Sequence, residues 1–143
     1  MTVDRPRVGV AVLVHRGGDV LLMKRQGSHG AGTWAPPGGH LESGEGPEEC
    51  AHREAAEETG VTIRDLRFRA VTNDVFQGED RHYITIWFDA AWAGGEPAVV
   101  STRELTDVRW CKWNDLPTPL FLSFQNLVDG RCHPPSAAPE RNP

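Results

Sequence analysis

A chain of 143 residues, 38% hydrophobic and 24% charged, is long enough for one domain with a real core. Its net charge of −5 argues against the basic patch or stripe of a general nucleic-acid surface, so no nucleic-acid polymer is expected as a partner. No apolar run reaches the roughly 18 residues of a membrane span and Met1 opens no signal-peptide core, so the chain is expected off the membrane and in the cytoplasm.

Residues 1–6 read as a short tail. From Arg7 the run VGVAVLVH is apolar almost without interruption, as in a strand buried on both faces. Arg16-Gly17-Gly18-Asp19 is turn chemistry, and Val20 to Arg25 resumes as the second strand of a hairpin. Lys24 and Arg25 must then point to opposite faces, which lets one look into a site. Gln26 to Gly32 is a glycine-rich connection. Thr33-Trp34-Ala35 reads as a short strand stopped by Pro36-Pro37 and turned by Gly38-Gly39. A helix is predicted from Pro47, which suits a first turn, to Thr59, with Glu48 and Glu49 at its positive end and Gly60 as its stop. Residues 64–76 and 82–92 follow as two antiparallel strands around the polar turn QGEDR, and 108–113 as one more. A final helix is predicted at about 120–127, and the proline-rich HPPSAAPERNP from His133 reads as a disordered tail, leaving 1–132 as the domain. Strands that cluster without alternating helices predict an α/β sandwich with a mixed, mainly antiparallel sheet. Cys50, Cys111 and Cys132 are odd in number and lack metal-ligand spacing, so they read as free thiols, small buried hydrophobes in a reducing compartment.

The predicted central helix is dense in carboxylates. At roughly 100° per residue, Glu54, Glu57 and Glu58 share an arc of about 100°, with Ala51 and Ala55 beside it to let the helix approach the sheet. Carboxylates this close repel and raise one another's pKa unless a cation neutralises them, and hard oxygen ligands suit Mg²⁺ or Mn²⁺. The competing reading is a solvated face knitted by pairs such as Arg53 with Glu57, worth about 0.2–0.5 kcal/mol each.

The flanks favour the first reading. Gly39, Glu45, Arg53, Glu54, Glu57, Glu58 and Gly60 occupy every fixed position of the Nudix box, GX5EX7REUXEEXGU, with Ala55 and Val61 in its aliphatic places. The chain therefore resembles the Nudix hydrolases, metal-dependent enzymes that cleave nucleoside diphosphates linked to another group. The resemblance implies an α/β/α sandwich with a loop–helix–loop packed on a mixed sheet, Glu54, Glu57 and Glu58 as metal ligands, and the Gly39 carbonyl as a further one. It gives Arg53 and Glu45 the task of orienting those carboxylates. Glu54 is the first candidate for general base, Glu57 the second, and Glu104 outside the box a third.

Gly27-Ser28 through Trp34, Gly39-His40-Leu41-Glu42 and His82-Tyr83-Ile84-Thr85-Ile86 are similar to the MutT-related nucleoside-triphosphate diphosphatases, the branch with enzymes for thiopurine nucleotides and dihydroneopterin triphosphate. That likeness implies a small-molecule nucleotide substrate, released as the monophosphate and pyrophosphate. An ADP-ribose or nucleotide-sugar pyrophosphatase is the alternative, and a non-catalytic nucleotide sensor a second one. It also implies a base pocket drawing on Thr85, Ser123 and Phe124, with Phe124 either stacking on a base or serving the core, and Arg25 facing phosphate or solvent. Pro36 departs from the leucine usual in relatives and would border that pocket. His29 and His82 lack metal-ligand spacing and read as polar loop or strand residues. Trp87 and Trp92, on a strand read as a sheet edge, are compatible with a homodimer.

Overall fold

The computed structural model describes residues 5–27 and 29–137; most of the expected N-terminal tail, Ser28 and residues 138–143 lie outside the described residues. The layering originates in β1 (Arg7–Arg16). Alternate side chains of an extended strand face opposite ways, and here both sides are apolar. Val10, Val12 and Val14 cluster with Cys50, Ala51 and Ala55 of helix α1 (Pro47–Thr59). Ala11 and Leu13 cluster instead with Phe124 and Leu127 of helix α2 (Leu122–Val128). Burying both faces of one strand requires a helix on each side of the sheet, which is the expected α/β/α arrangement.

The remaining strands are β2 (Asp19–Arg25), β3 (Trp34–Ala35), β4 (Gly38–His40), β5 (Thr62–Phe76), β6 (Arg81–Gly94) and β7 (Leu105–Lys112). They form one seven-stranded sheet in the order β3-β2-β1-β6-β5, with β4 paired to β1 and β7 to β2. Among the strand pairs of the described residues, β1 and β6 run parallel, from Arg7 opposite Tyr83 to His15 opposite Ala91, and the others are antiparallel. Helix α1 begins and ends where Pro47 and Gly60 predict. Gly60 adopts φ 79°, a left-handed conformation natural to glycine, and its N–H closes the helix on Ala56 O at 2.9 Å. The three cysteines are buried and unpaired. Among the described residues, no helix is long and apolar enough to cross a membrane.

Three expectations need correction. Gly38-Gly39 is not a turn: it is β4, in register with Val10 and Ala11 of β1. The glycines are there for close approach, since a Cβ on Gly38 would lie 2.5 Å from Val10 O. The strand bearing Trp87 and Trp92 is not an edge, because β6 lies between β1 and β5 and Trp87 is fully buried. That removes the argument for a dimer through those residues. Nor does the ordered chain end at Cys132. His133 exchanges backbone hydrogen bonds with Val71 at 3.0 and 2.9 Å, Pro135–Ala137 form a 3₁₀ turn, and Arg69 Nε donates to Ala137 O at 2.9 Å.

Arg69 also donates to Asp89 Oδ1 at 2.7 Å, beside His15 Nε2 at 2.8 Å from the same oxygen. Burial pushes the Asp89 carboxyl up, but the hydrogen bond from His15 and the charge and hydrogen bond of Arg69 outweigh it and hold it below its ordinary value. A depressed carboxylate contributes stability above its unfolded pKa of about 3.9 and loses it as pH falls through the folded value. Asp89→Asn should therefore destabilise the fold by about 1.5–3 kcal/mol at neutral pH, as for a charge-assisted hydrogen bond. Urea titrations repeated from pH 7 downward should show that difference shrinking below about pH 4.

Candidate active site

Helix α1 places its acids across a gradient of burial. Ala51 and Ala55 sit on the sheet, Glu58 beside them is 7% exposed, and the Glu57 side chain, at the outer edge, is 59% exposed. Glu54 lies beneath β4, in space left by the absent side chain of Gly39: a Cβ there would meet its carboxylate at 2.6 Å. The Gly38 N–H donates to Glu58 Oε1 at 2.9 Å.

Arg53 ties the cluster together. Its Nε and Nη2 donate to the two oxygens of Glu45 at 2.7 and 3.0 Å, and Nη1 donates to Glu54 Oε1 at 2.5 Å and Glu57 Oε2 at 3.2 Å. A fourth partner, His40 O at 3.2 Å, fixes the guanidinium to β4. This fork holds the Glu45 carboxyl down at about 2, chiefly through the Arg53 hydrogen bonds. Burial, then the charge of Glu54, pushes Glu58 up to about 8. Burial also raises Glu54, against the charge and hydrogen bond of Arg53.

The donor set fits a hard divalent cation in chemistry: closely spaced carboxylates, two of them raised by burial and mutual charge, around an open basin of about 790 Å³. It is not a ready-made cage, for no group of three or more acidic, histidine or cysteine side chains among the described residues has metal-holding geometry. Glu54 and Glu57 are turned toward Arg53, and Glu58 toward Gly38. Glu104 and Arg25 complete the far wall of the basin.

Across β4, on the α2 face of the sheet, lies a cavity of about 100 Å³. It shares Arg25, His29 and Gly38 to His40 with the basin, so the two hollows adjoin. Arg25 faces the site: its Nε donates to His29 O at 3.2 Å and its guanidinium lies 4.4 Å from the Phe121 ring centre. Burial lowers its pKa, with the charge of Glu58 acting against that shift. Pro36, Thr85 and Ser123 line the cavity. Phe124 does not. It is fully buried in the core, its ring centre 6.0 Å from that of Trp87 and 6.2 Å from that of Trp113.

Aromatic residues that sequence reasoning passed over supply the wall instead: Phe121, Phe76, Tyr83 and His29. His29 packs edge-on against Phe76 and Phe121 at 4.5 and 5.3 Å between ring centres, and its Nδ1 meets Glu79 Oε1 at 2.9 Å. Period-two alternation along β6 was a usable signal for Tyr83, since it shares a face with Thr85. No comparable local signal marks Phe121 or His29. His82 stays at the exposed surface beside Asn73. A further hollow of about 940 Å³, bordered by Arg5, Arg7 and Arg81, adjoins the cavity through Phe76 and Tyr83.

Comparison with known proteins gives this geometry a context. The family model described as NUDIX domain matches residues 5–128. The NAD-capped RNA hydrolase NudC of Pseudomonas syringae pv. syringae is 36% identical over 139 residues, 94% of this chain and 48% of that protein. A putative 8-oxo-dGTP diphosphatase 3 of Mycobacterium tuberculosis is 40% identical over 111 residues, 73% of this chain and 50% of that one. The chain thus spans about half the length of these curated relatives. Among solved structures, a MutT NUDIX hydrolase from Burkholderia pseudomallei superposes with a TM-score of 0.78 at 32% identity, covering 82% of this chain and 91% of that one.

Proposed function

The chain belongs to the Nudix family, and from that premise we propose that it is a divalent-metal-dependent hydrolase of nucleoside-diphosphate-linked substrates, taking a (deoxy)nucleoside triphosphate to the monophosphate and pyrophosphate. The observation that carries this reading is the adjacency of an acidic basin and a small aromatic-walled cavity across the three residues of β4. One compartment suits phosphates and their counter-ions, the other a base.

Mg²⁺, or Mn²⁺ in its place, bound by Glu54, Glu57 and Glu58 with the Gly39 carbonyl as a further candidate, would offset phosphate charge and supply the Lewis acidity that pyrophosphate hydrolysis needs. The chain's own groups do the rest. Arg53 and Glu45 hold the carboxylates in place. Glu54, bound through Oε1, keeps Oε2 as the acceptor for the proton of the attacking water, with Glu57 the second candidate. Arg25, at the junction of the two hollows, is placed to meet a phosphate oxygen.

A second reading is favoured by the NudC relative, which matches nearly the whole chain. NAD joins two nucleosides through a diphosphate, and the hollow beyond Phe76 and Tyr83 offers room for a second half. A panel of (d)NTPs, 8-oxo-dGTP, NAD, ADP-ribose and nucleotide sugars, assayed with Mg²⁺ and Mn²⁺, separates the readings. We expect dGTP to yield dGMP and pyrophosphate. Turnover confined to the diphosphate-linked compounds would replace the first reading by the second, and tight binding with no turnover would make the chain a sensor.

A further inference from the structure

Asp74 of β5 is fully buried, yet the reaction as proposed makes no use of it. Its carboxylate collects hydrogen bonds from two strands and a helix. Thr85 Oγ1 on β6 donates to Oδ2 at 2.6 Å, Thr72 Oγ1 donates to the same oxygen at 3.0 Å, and Asn126 Nδ2 on α2 donates to Oδ1 at 3.0 Å. The directions follow from chemistry. Trp87 Nε1 can only donate, and it does so to Thr72 Oγ1 at 2.9 Å, which sends the Thr72 hydrogen on to Asp74. Burial pushes the Asp74 carboxyl up, and the hydrogen bonds from Thr85, Asn126 and Thr72 act against that shift to favour the ionised form.

Thr85 is the member of this network that lines the cavity. Its hydroxyl has one hydrogen, which Asp74 takes, so lone pairs are what remain for a ligand. Gly9 leaves the space beside it unfilled, where a Cβ would be in van der Waals contact with Thr85 Oγ1 at 3.5 Å. We propose that Asp74 is a positioning residue that fixes Thr85 as a hydrogen-bond acceptor, so that the cavity selects a nucleobase edge presenting an N–H at that point. The inference rests on the nucleotide reading above and adds to it the polarity of the base contact. A site built around one hydrogen-bond direction rejects a ligand offering the opposite one, because buried groups are then left unpaired.

Asp74→Asn tests it, since an amide NH₂ facing the two threonines would donate to them and free the Thr85 hydrogen for the ligand. Inosine and adenosine monophosphates exchange donor and acceptor along the same edge, so titration calorimetry with both reads the polarity directly, without turnover. The wild-type chain should favour one of the pair by at least about tenfold. Thr85→Ser should keep that ratio, Thr85→Val should abolish it, and Asp74→Asn should reverse it or bring it to unity. Should Asp74→Asn fail to fold by circular dichroism, the Val and Ser variants decide. Equal binding of both ligands by the wild type, no binding of either, or a ratio unmoved by Thr85→Val or by a folded Asp74→Asn overturns the inference. The expected ratios in a chain that hydrolyses no nucleotide would overturn the reaction proposed above and leave this inference standing.

Discussion

Replacing Glu58 by Gln is expected to lower nucleotide hydrolysis by ~100-fold or more, about 2.7 kcal/mol of transition-state stabilisation, while leaving the melting temperature unchanged or higher. The two effects separate because Glu58 is costly to the fold. It is a buried carboxylate beside Glu54, and its one backbone partner among the described residues is the Gly38 N–H. The glutamine amide oxygen can accept the same N–H, so packing and the hydrogen bond survive while a buried charge disappears. A proposed cation ligand disappears with it. Glu57→Gln makes the useful comparison, since that exposed side chain should cost the fold within about 0.5 kcal/mol either way and activity just as much. Steady-state kinetics in Mg²⁺ and a thermal melt of each variant suffice. Near-wild-type turnover in either would remove that residue from the proposed ligand set.

Gly38→Ala and Gly39→Ala should fail in different ways, although the residues are neighbours. At Gly38 the new Cβ would meet backbone, Val10 O at 2.5 Å and Ala11 Cα at 3.0 Å, in the strand buried from both sides. Neither atom can turn aside. We expect a loss of about 1–3 kcal/mol or more in urea denaturation, as for other forced overpacking. At Gly39 the Cβ would meet the end of the Glu54 side chain at 2.6 Å, and a side chain can rotate away. Stability should then fall less, but activity should fall sharply, because Glu54 leaves the position that Arg53 holds. Gly18→Ala, with nothing within 4 Å of the new Cβ, is the control. Equal stability losses at 38 and 39 would sink this account.

What the sequence disclosed and what it withheld divide along the range of the forces involved. Helix α1 was legible because its signals are local: Pro47 in the first turn, Gly60 at the stop, acids at helical spacing. The nearly unbroken apolar run of β1 was legible for the same reason, as a strand buried on both faces. Gly38-Gly39 misled because a glycine pair serves a turn and a close approach equally well; the neighbour that decides, Val10, is 28 positions away. The exchange of Phe124 for Phe121 has a simple cause. Helix α2 starts at Leu122, so Phe121 precedes it and turns to the cavity while Phe124 goes to the core. The parallel pairing of β1 with β6, and the bridge from His133 to Val71, join segments that nothing local connects.

Because one three-residue strand stands between the basin and the cavity, the acids and the base-side wall of the site come from different parts of the chain. Acids come from α1 and the 101–104 loop; the cavity adds β1, Ala35-Pro36, β5, β6 and the approach to α2, while Arg25, His29 and β4 serve both. Substitutions that reshape the cavity therefore need not disturb the carboxylates of α1. Such a chain can trade one ligand for another in small steps without passing through an inactive form, and the same partition shows a protein engineer where to randomise and where to leave alone.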